Sequence, residues 1–446
     1  MVLAITSALS NASFFNQSQS NDTIMQGTSG SIWMGVSSSN HNAIMQVTES
    51  NIVVNGAFRS SNVGINCAPS SSYALDVAGN INASSNISAG NLGMFRNRII
   101  NGDMAINQRG MTTLSLTGTN YTYLVDRWGV NMSSTASITF SKQSLSSTDT
   151  PFQKGFTNSI RILAQSVVSS NYVVPAQIIE GTNVSDLMWG SQYGKAATLS
   201  FWVRTKGVSV LPVILKTYTD NDTKVNCFME KVSITGSEAW QFVTIAIPAP
   251  PVTSTWGTTS SDKYGIVIGS YNAGNQTSTL GWTTGNNYPN INIYSTAGNY
   301  IEFTGVQFEK GTIATPFEFR PYMIESPLCM RYYFQYTTST LSYFTTSPLN
   351  GLTGIFGPYS LPFQMRVKPT ISSSALSTTA STWVACVSAG GGTEFVTSFI
   401  LDELSTNSIV YINSSMTNYG SRSNSSAMAI YRGNPGAFIG FNAELI

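Results

Sequence analysis

Apolar and polar residues alternate with a period of two along most of this chain, a spacing that predicts strands. It is clearest in Thr198-Leu-Ser-Phe-Trp-Val-Arg-Thr205 and Gln241-Phe-Val-Thr-Ile-Ala-Ile247. Further strands are predicted at Ser159–Leu163, Pro212–Lys216, Gly265–Gly269, Ile291–Tyr294 and Tyr300–Phe308, separated by Gly, Asn, Ser and Pro clusters that supply turns. No long window shows the 3.6-residue spacing of an amphipathic helix. The predicted fold class is all-β, with β-sandwich or jelly-roll domains in tandem behind a β-rich N-terminal shaft.

Texture divides the chain into three regions. Residues 1–95 are rich in Ser, Asn and Gly, and their apolar residues are too sparse to fold a core alone. A shaft or anchor that buries its strands between copies is the physical expectation, and with it a homotrimer. Ala78-Gly-Asn-Ile81 recurs as Ala89-Gly-Asn-Leu92, a faint repeat. Residues 96–325 carry the clearest domain, expected to be a jelly roll. Residues 326–446 form a further β domain, expected to be a sandwich at the tip.

Composition narrows the function. Only 10% of the 446 residues are charged, against about 25% in ordinary soluble domains, and the formal net charge is +1. Such a surface carries no electrostatic footprint for nucleic acid or anionic membrane, so neither is an expected partner. No stretch is apolar enough for a membrane helix, and the first residues do not read as a signal peptide, so synthesis in the cytoplasm is expected. Cys67, Cys227, Cys329 and Cys386 are scattered, and read as small core residues.

The run Phe95–Arg109, with Asp126-Arg-Trp128, resembles the opening of the carbohydrate-binding-like jelly rolls of tail-fibre and surface proteins of phages and large DNA viruses. Ile301–Gly311 and Thr315–Tyr322 resemble its close, and Leu328–Tyr333 the passage to a next domain. Asn62–Asn66 with Tyr73–Ile81 looks like a stalk-proximal segment, and Leu361–Thr370 with Phe441–Leu445 is similar to the distal domain of such fibres. The resemblance implies a structural component of the virion surface that attaches to host cell-surface glycan and contacts other virion proteins. A minor capsid or cement protein without sugar binding is the alternative, and a polysaccharide depolymerase the less favoured one.

Sugar contact calls for rings in loops, where a flat apolar face meets the C–H side of a saccharide and nearby amides bond its hydroxyls. Trp189, Tyr193, Trp256, Tyr271, Trp282 and Tyr288 lie among Gly, Ser, Asn and Thr and are the candidate glycan-binding residues. Trp202 and Trp240 sit in strand patterns and are expected in the core, as is Trp128 behind a charged rim. No catalytic residue, metal ligand or cofactor is expected. The single histidine, His41, lies far from any triad pattern, and Glu180, Asp186, Glu230, Glu238 and Glu302 show no spacing that singles out an acid pair. The chain is therefore expected not to be an enzyme. Glu309 and Glu318 are too few for calcium.

Overall fold

The computed structural model describes residues 95–337 with short gaps, and outside them a set of strands together with parts of 354–373, 403–416 and 438–444. Two compact units emerge, Met1–Ser88 and Ala89–Ile446. In the first, β1 (Thr23–Thr28), β2 (Ser31–Val36), β3 (Met45–Thr48) and β4 (Ile52–Val54) form an antiparallel meander, and β5 (Val63–Ile65) pairs in parallel with β6 (Leu75–Val77).

The second unit opens with β7 (Thr113–Tyr123), β8 (Gly129–Ser144), β9 (Asn158–Ala164), β10 (Tyr172–Glu180), β11 (Ala197–Lys206), β12 (Val210–Tyr218) and β13 (Lys224–Ser233). It continues through β14 (Gln241–Ile247), β15 (Lys263–Ile268), β16 (Tyr271–Asn272), β17 (Gln276–Thr277), β18 (Gly281–Thr284), β19 (Tyr288–Pro289) and β20 (Tyr300–Lys310). The long strand β8 links two layers. Its residues 129–133 pair with β10, in the order β8-β10-β15-β12-β13-β18, while residues 138–144 pair with β9, in the order β14-β11-β20-β9-β8. Both halves contribute to one core, with Val130 and Met132 meeting Ile138, Phe140, Phe201, Phe303 and Phe308. Burying this contiguous apolar surface is the main drive for the sandwich.

The two layers differ on their outer sides. Outside β10, β15, β12 and β13 lies a second, smaller core, where Val174, Ala176, Ile178, Ile214 and Val267 meet Ile100, Ile106, Cys329 and Tyr332. A sheet buried on both faces needs apolar residues at nearly every position, as in Ile178-Ile179 and Ile266-Val267-Ile268. In β11 and β14 only alternate residues, Ala197, Leu199, Phe201, Val203, Val243, Ile245 and Ile247, join the core, and the outer side chains of β14 are exposed.

Helix α1 (Tyr322–Met330) leads to β21 (Tyr333–Thr337), β22 (Thr345–Asn350), β23 (Gly354–Ser360), β24 (Thr370–Ser373), β25 (Trp383–Val387), β26 (Thr393–Leu401), β27 (Ile409–Met416), β28 (Ala427–Arg432) and β29 (Phe438–Asn442). Strands β22, β23, β27, β26, β25 and β28 close a barrel, and β21-β29-β24 form a small sheet. The all-β class predicted from alternation is the class observed. Barrel closure depends on which strands pair and not on their period, so alternation does not encode it.

Candidate functional site

The outer face of the β14-β11-β20-β9 layer is exposed along β14 and partly exposed at Trp202 and Arg204 of β11. Strand register sets its layout. Phe242 lies directly opposite Trp202, and two residues further along β11, Arg204 lies opposite Glu302, which in turn lies opposite Arg161. An aromatic row therefore runs beside a charged row. Phe242 is half exposed and Trp202 half buried, their ring centroids 5.2 Å apart at 50°.

In the charged row, Arg204 grips the Glu302 carboxylate with Nε and Nη2, each at 3.1 Å. Arg161 donates to the same carboxylate from Nε at 2.7 Å, and Ser159 donates its hydroxyl at 2.6 Å. Forked contacts of this kind orient both partners. The free end of Arg204 reaches Asp149 at 3.1 Å and lies 4.8 Å from the centre of the Trp240 ring, whose indole N–H donates to Asp149 at 2.9 Å. Burial alone would raise the Asp149 carboxyl. The Ser146 backbone N–H, the Trp240 indole, the Ser146 hydroxyl and Arg204 prevail and hold it below its ordinary value. At the far edge, Arg161 covers Tyr300, which donates to Glu238 at 3.1 Å. Flat rings beside fixed donors and acceptors can bind a polyhydroxylated ligand from the apolar and polar sides at once.

Four of the sequence-predicted contact residues lie around one end of the sandwich. Trp189, Trp256 and Trp282 pack edge to face with centroids 5.2–5.7 Å apart. Trp189 is buried, with its indole donating to the Lys195 carbonyl, while Trp256 and Trp282 are half buried against the core. Tyr193 is 58% exposed on the turn that follows Trp189. Tyr271 and Tyr288 are not loop rings open to solvent but buried ones. The reason is tertiary: Tyr288 folds over the outer side of the sheet, with the Lys216 ammonium 3.3 Å from its ring centre. Trp202 and Trp240, expected in the core, are half buried on the outer side. The alternation already held that signal, since Leu199, Phe201 and Val203 occupy the inward phase and leave Trp202 and Arg204 on the other.

The fibre-like motifs also come together, at the junction of the sandwich with the C-terminal strands. Asn101 bonds Ile106 through its side-chain amide and carbonyl, reaches the Asp126 carbonyl, and accepts the Trp128 indole on its backbone carbonyl at 3.0 Å. Gly102 follows because nothing larger fits, as a Cβ there would lie 2.2 Å from the Val306 carbonyl oxygen. Buried Arg127 lies on the Tyr332 ring and pairs with Glu444, which Arg109 also approaches at 3.4 Å. Arg331 forks onto Glu180 at 2.9 Å. Burial pushes the Asp126 carboxyl up to about 6, although Arg109 and two bonds from Gln108 oppose the shift. Glu318 accepts the Phe95 and Asn97 backbone N–H groups, and Glu309 accepts from Thr315 and Gln307, so both brace loops.

Cys227 and Cys329 are buried thiols, as the sequence suggested. Cys67 and His41 lie outside the described residues, as does the side chain of Cys386.

No protein-family model matches the chain. No curated protein matches it either. Several solved structures resemble part of it. The enzymatically active domain of tailspike protein 4 of bacteriophage CBA120 is 14% identical, with a TM-score of 0.27 over 48% of this chain and 22% of that one. The family 11 carbohydrate-binding module of the Clostridium thermocellum cellulase Lic26A-Cel5E is 12% identical, with a TM-score of 0.23 over 44% and 99%. A cyclase from Fischerella sp. TAU is 11% identical, with a TM-score of 0.25 over 45% and 90%. The chain thus spans about a fifth of the tailspike protein's length, and likeness at this level concerns β architecture alone. The expectation that the chain is not an enzyme does not stand. An enzymatically active domain and a cyclase are among these structures.

Proposed function

We propose that this protein binds glycan through the open sheet face around Phe242 and Trp202, as a surface component of a virion attaching to host cells. One observation carries the reading. A solvent-facing aromatic pair stands on rigid strands beside the Arg204–Glu302–Arg161 row, so a saccharide would find a hydrophobic platform and fixed polar groups within one patch. The half-buried Trp256 and Trp282, with exposed Tyr193 nearby, offer a secondary contact region at the end of the sandwich. The resemblance of Phe95–Arg109, Thr315–Tyr322 and Leu361–Thr370 to viral and phage fibre proteins supports the virion role, with assembly as a homotrimer after synthesis in the host cytoplasm.

A glycan array probed with the full chain, followed by calorimetric titration of the best ligand, tests this. Phe242→Ala is expected to abolish or strongly weaken binding, and Trp256→Ala with Trp282→Ala to weaken it less. An array without signal, or full binding by Phe242→Ala, would overturn the assignment and favour a purely structural role. Reducing ends measured in the same incubations report whether bound polysaccharide is cleaved.

A further inference from the structure

A cleft of about 330 Å³ opens on another side of the sandwich, between the segment that begins at Phe95 and the 3-10 turn Gly181–Leu187. Its volume suits one monosaccharide. Phe95, nearly half exposed, provides a ring at the rim, and Asn183 provides an exposed amide on the turn. Three features bear on how the cleft would meet an anion. Asp186 is shared by two cations, Arg98 at 2.9 Å and Lys310 at 3.5 Å. The Nε atoms of Arg98 and Arg320 have no hydrogen-bond partner although both are buried. Arg320, 93% buried as a side chain, has its remaining nitrogens fixed by Glu325, Glu318 and the Asn97 and Ile99 carbonyls, so its guanidinium is preset at the wall.

We propose that this cleft is a second binding site, selective for a sugar bearing a carboxylate. A ligand carboxylate would compete with Asp186 for Arg98, which lines the cleft, because the exposed bridge between them is weak and easily exchanged while Lys310, beside the cleft, still serves Asp186. The ring of Phe95 would cover the sugar's apolar face, and Asn183 would bond its hydroxyls. The site is separate from the Phe242 platform, and its test does not depend on binding there.

The probes are sodium glucuronate, glucose and sodium acetate, titrated into the full chain by calorimetry. Glucuronate is expected to bind more tightly than either of the others, because only it offers both charge and hydroxyls. Arg98→Gln is expected to weaken glucuronate at least about tenfold, the loss of one charge-assisted contact. Asn183→Ala, an exposed change with little risk to folding, is expected to weaken glucuronate while leaving acetate unchanged. Phe242→Ala is expected to leave glucuronate binding intact, which separates failure of this site from failure of the platform. Glucose binding as tightly as glucuronate, acetate binding as tightly as glucuronate, no glucuronate binding at all, or indifference to both cleft variants would each overturn the proposal.

Discussion

Two arrangements of the same three side chains sit in different parts of the second unit. On the open sheet face, Glu302 lies between Arg204 and Arg161; at the junction, Glu444 lies between Arg127 and Arg109. Both carboxylates are fully buried. The arginines differ: Arg204 and Arg161 keep 19% and 26% of their side-chain surface, whereas Arg127 and Arg109 keep 1% and 8%. Water screens the first pair, and a ligand can approach it from the solvent side. In the second, desolvation has been accepted, and the charges can only hold neighbouring segments in register. Cover, and not composition, separates a contact surface from a clasp.

Removing one cation from each triad tests the contrast most strongly. Arg127→Met leaves Glu444 buried with only Arg109, at 3.4 Å, to balance it and is expected to cost about 3–5 kcal/mol in denaturant titration. The C-terminal strands should become the first part cleaved by protease. Acid titration separates the two regions next. The Asp126 carboxyl is raised from 3.8 to about 6 by burial, so its contribution to stability is fully present below pH 3.8 and lost as pH rises through about 6. Wild type should therefore lose on the order of 2 kcal/mol relative to Asp126→Asn between pH 4 and 7, measured as a difference in unfolding free energy. Asp149, held low, contributes stability above the ordinary aspartate value and loses it only as pH falls further, so Asp149→Asn should show no such slope in that window.

Arg204→Met is expected to cost about 1–2 kcal/mol, because Arg161 and Ser159 still serve Glu302. A cost equal to that of Arg127→Met would erase the distinction. Phe242→Ala should be the mildest for stability, about 1 kcal/mol at most, while having the largest effect on glycan binding.

Much of the sandwich was legible in the sequence, because each strand carries its own period and the period follows the number of covered faces. The inward set Leu199, Phe201 and Val203 could have placed Trp202 outside; large rings are so often buried that composition outweighed phase. Tyr271 and Tyr288 were not legible. Their Gly- and Asn-rich surroundings look like a surface loop, but Tyr288 folds over Lys216 into the smaller core, and Tyr271 pairs with Val173 of β10 and joins the main core. Helix α1 left little trace, with nine residues and Pro327 inside it. The junction was visible as separate motifs but not as one cluster, since nothing local pairs Arg127 with Glu444.

That last pairing sets an order of events during synthesis. The two partners are 317 residues apart, so a sandwich emerging from the ribosome holds Arg127 and Arg109 without their carboxylate until translation has passed residue 444. The nascent domain is thus expected to remain loosely latched until β29 and Glu444 emerge and to tighten only then, a delay that chaperones could occupy.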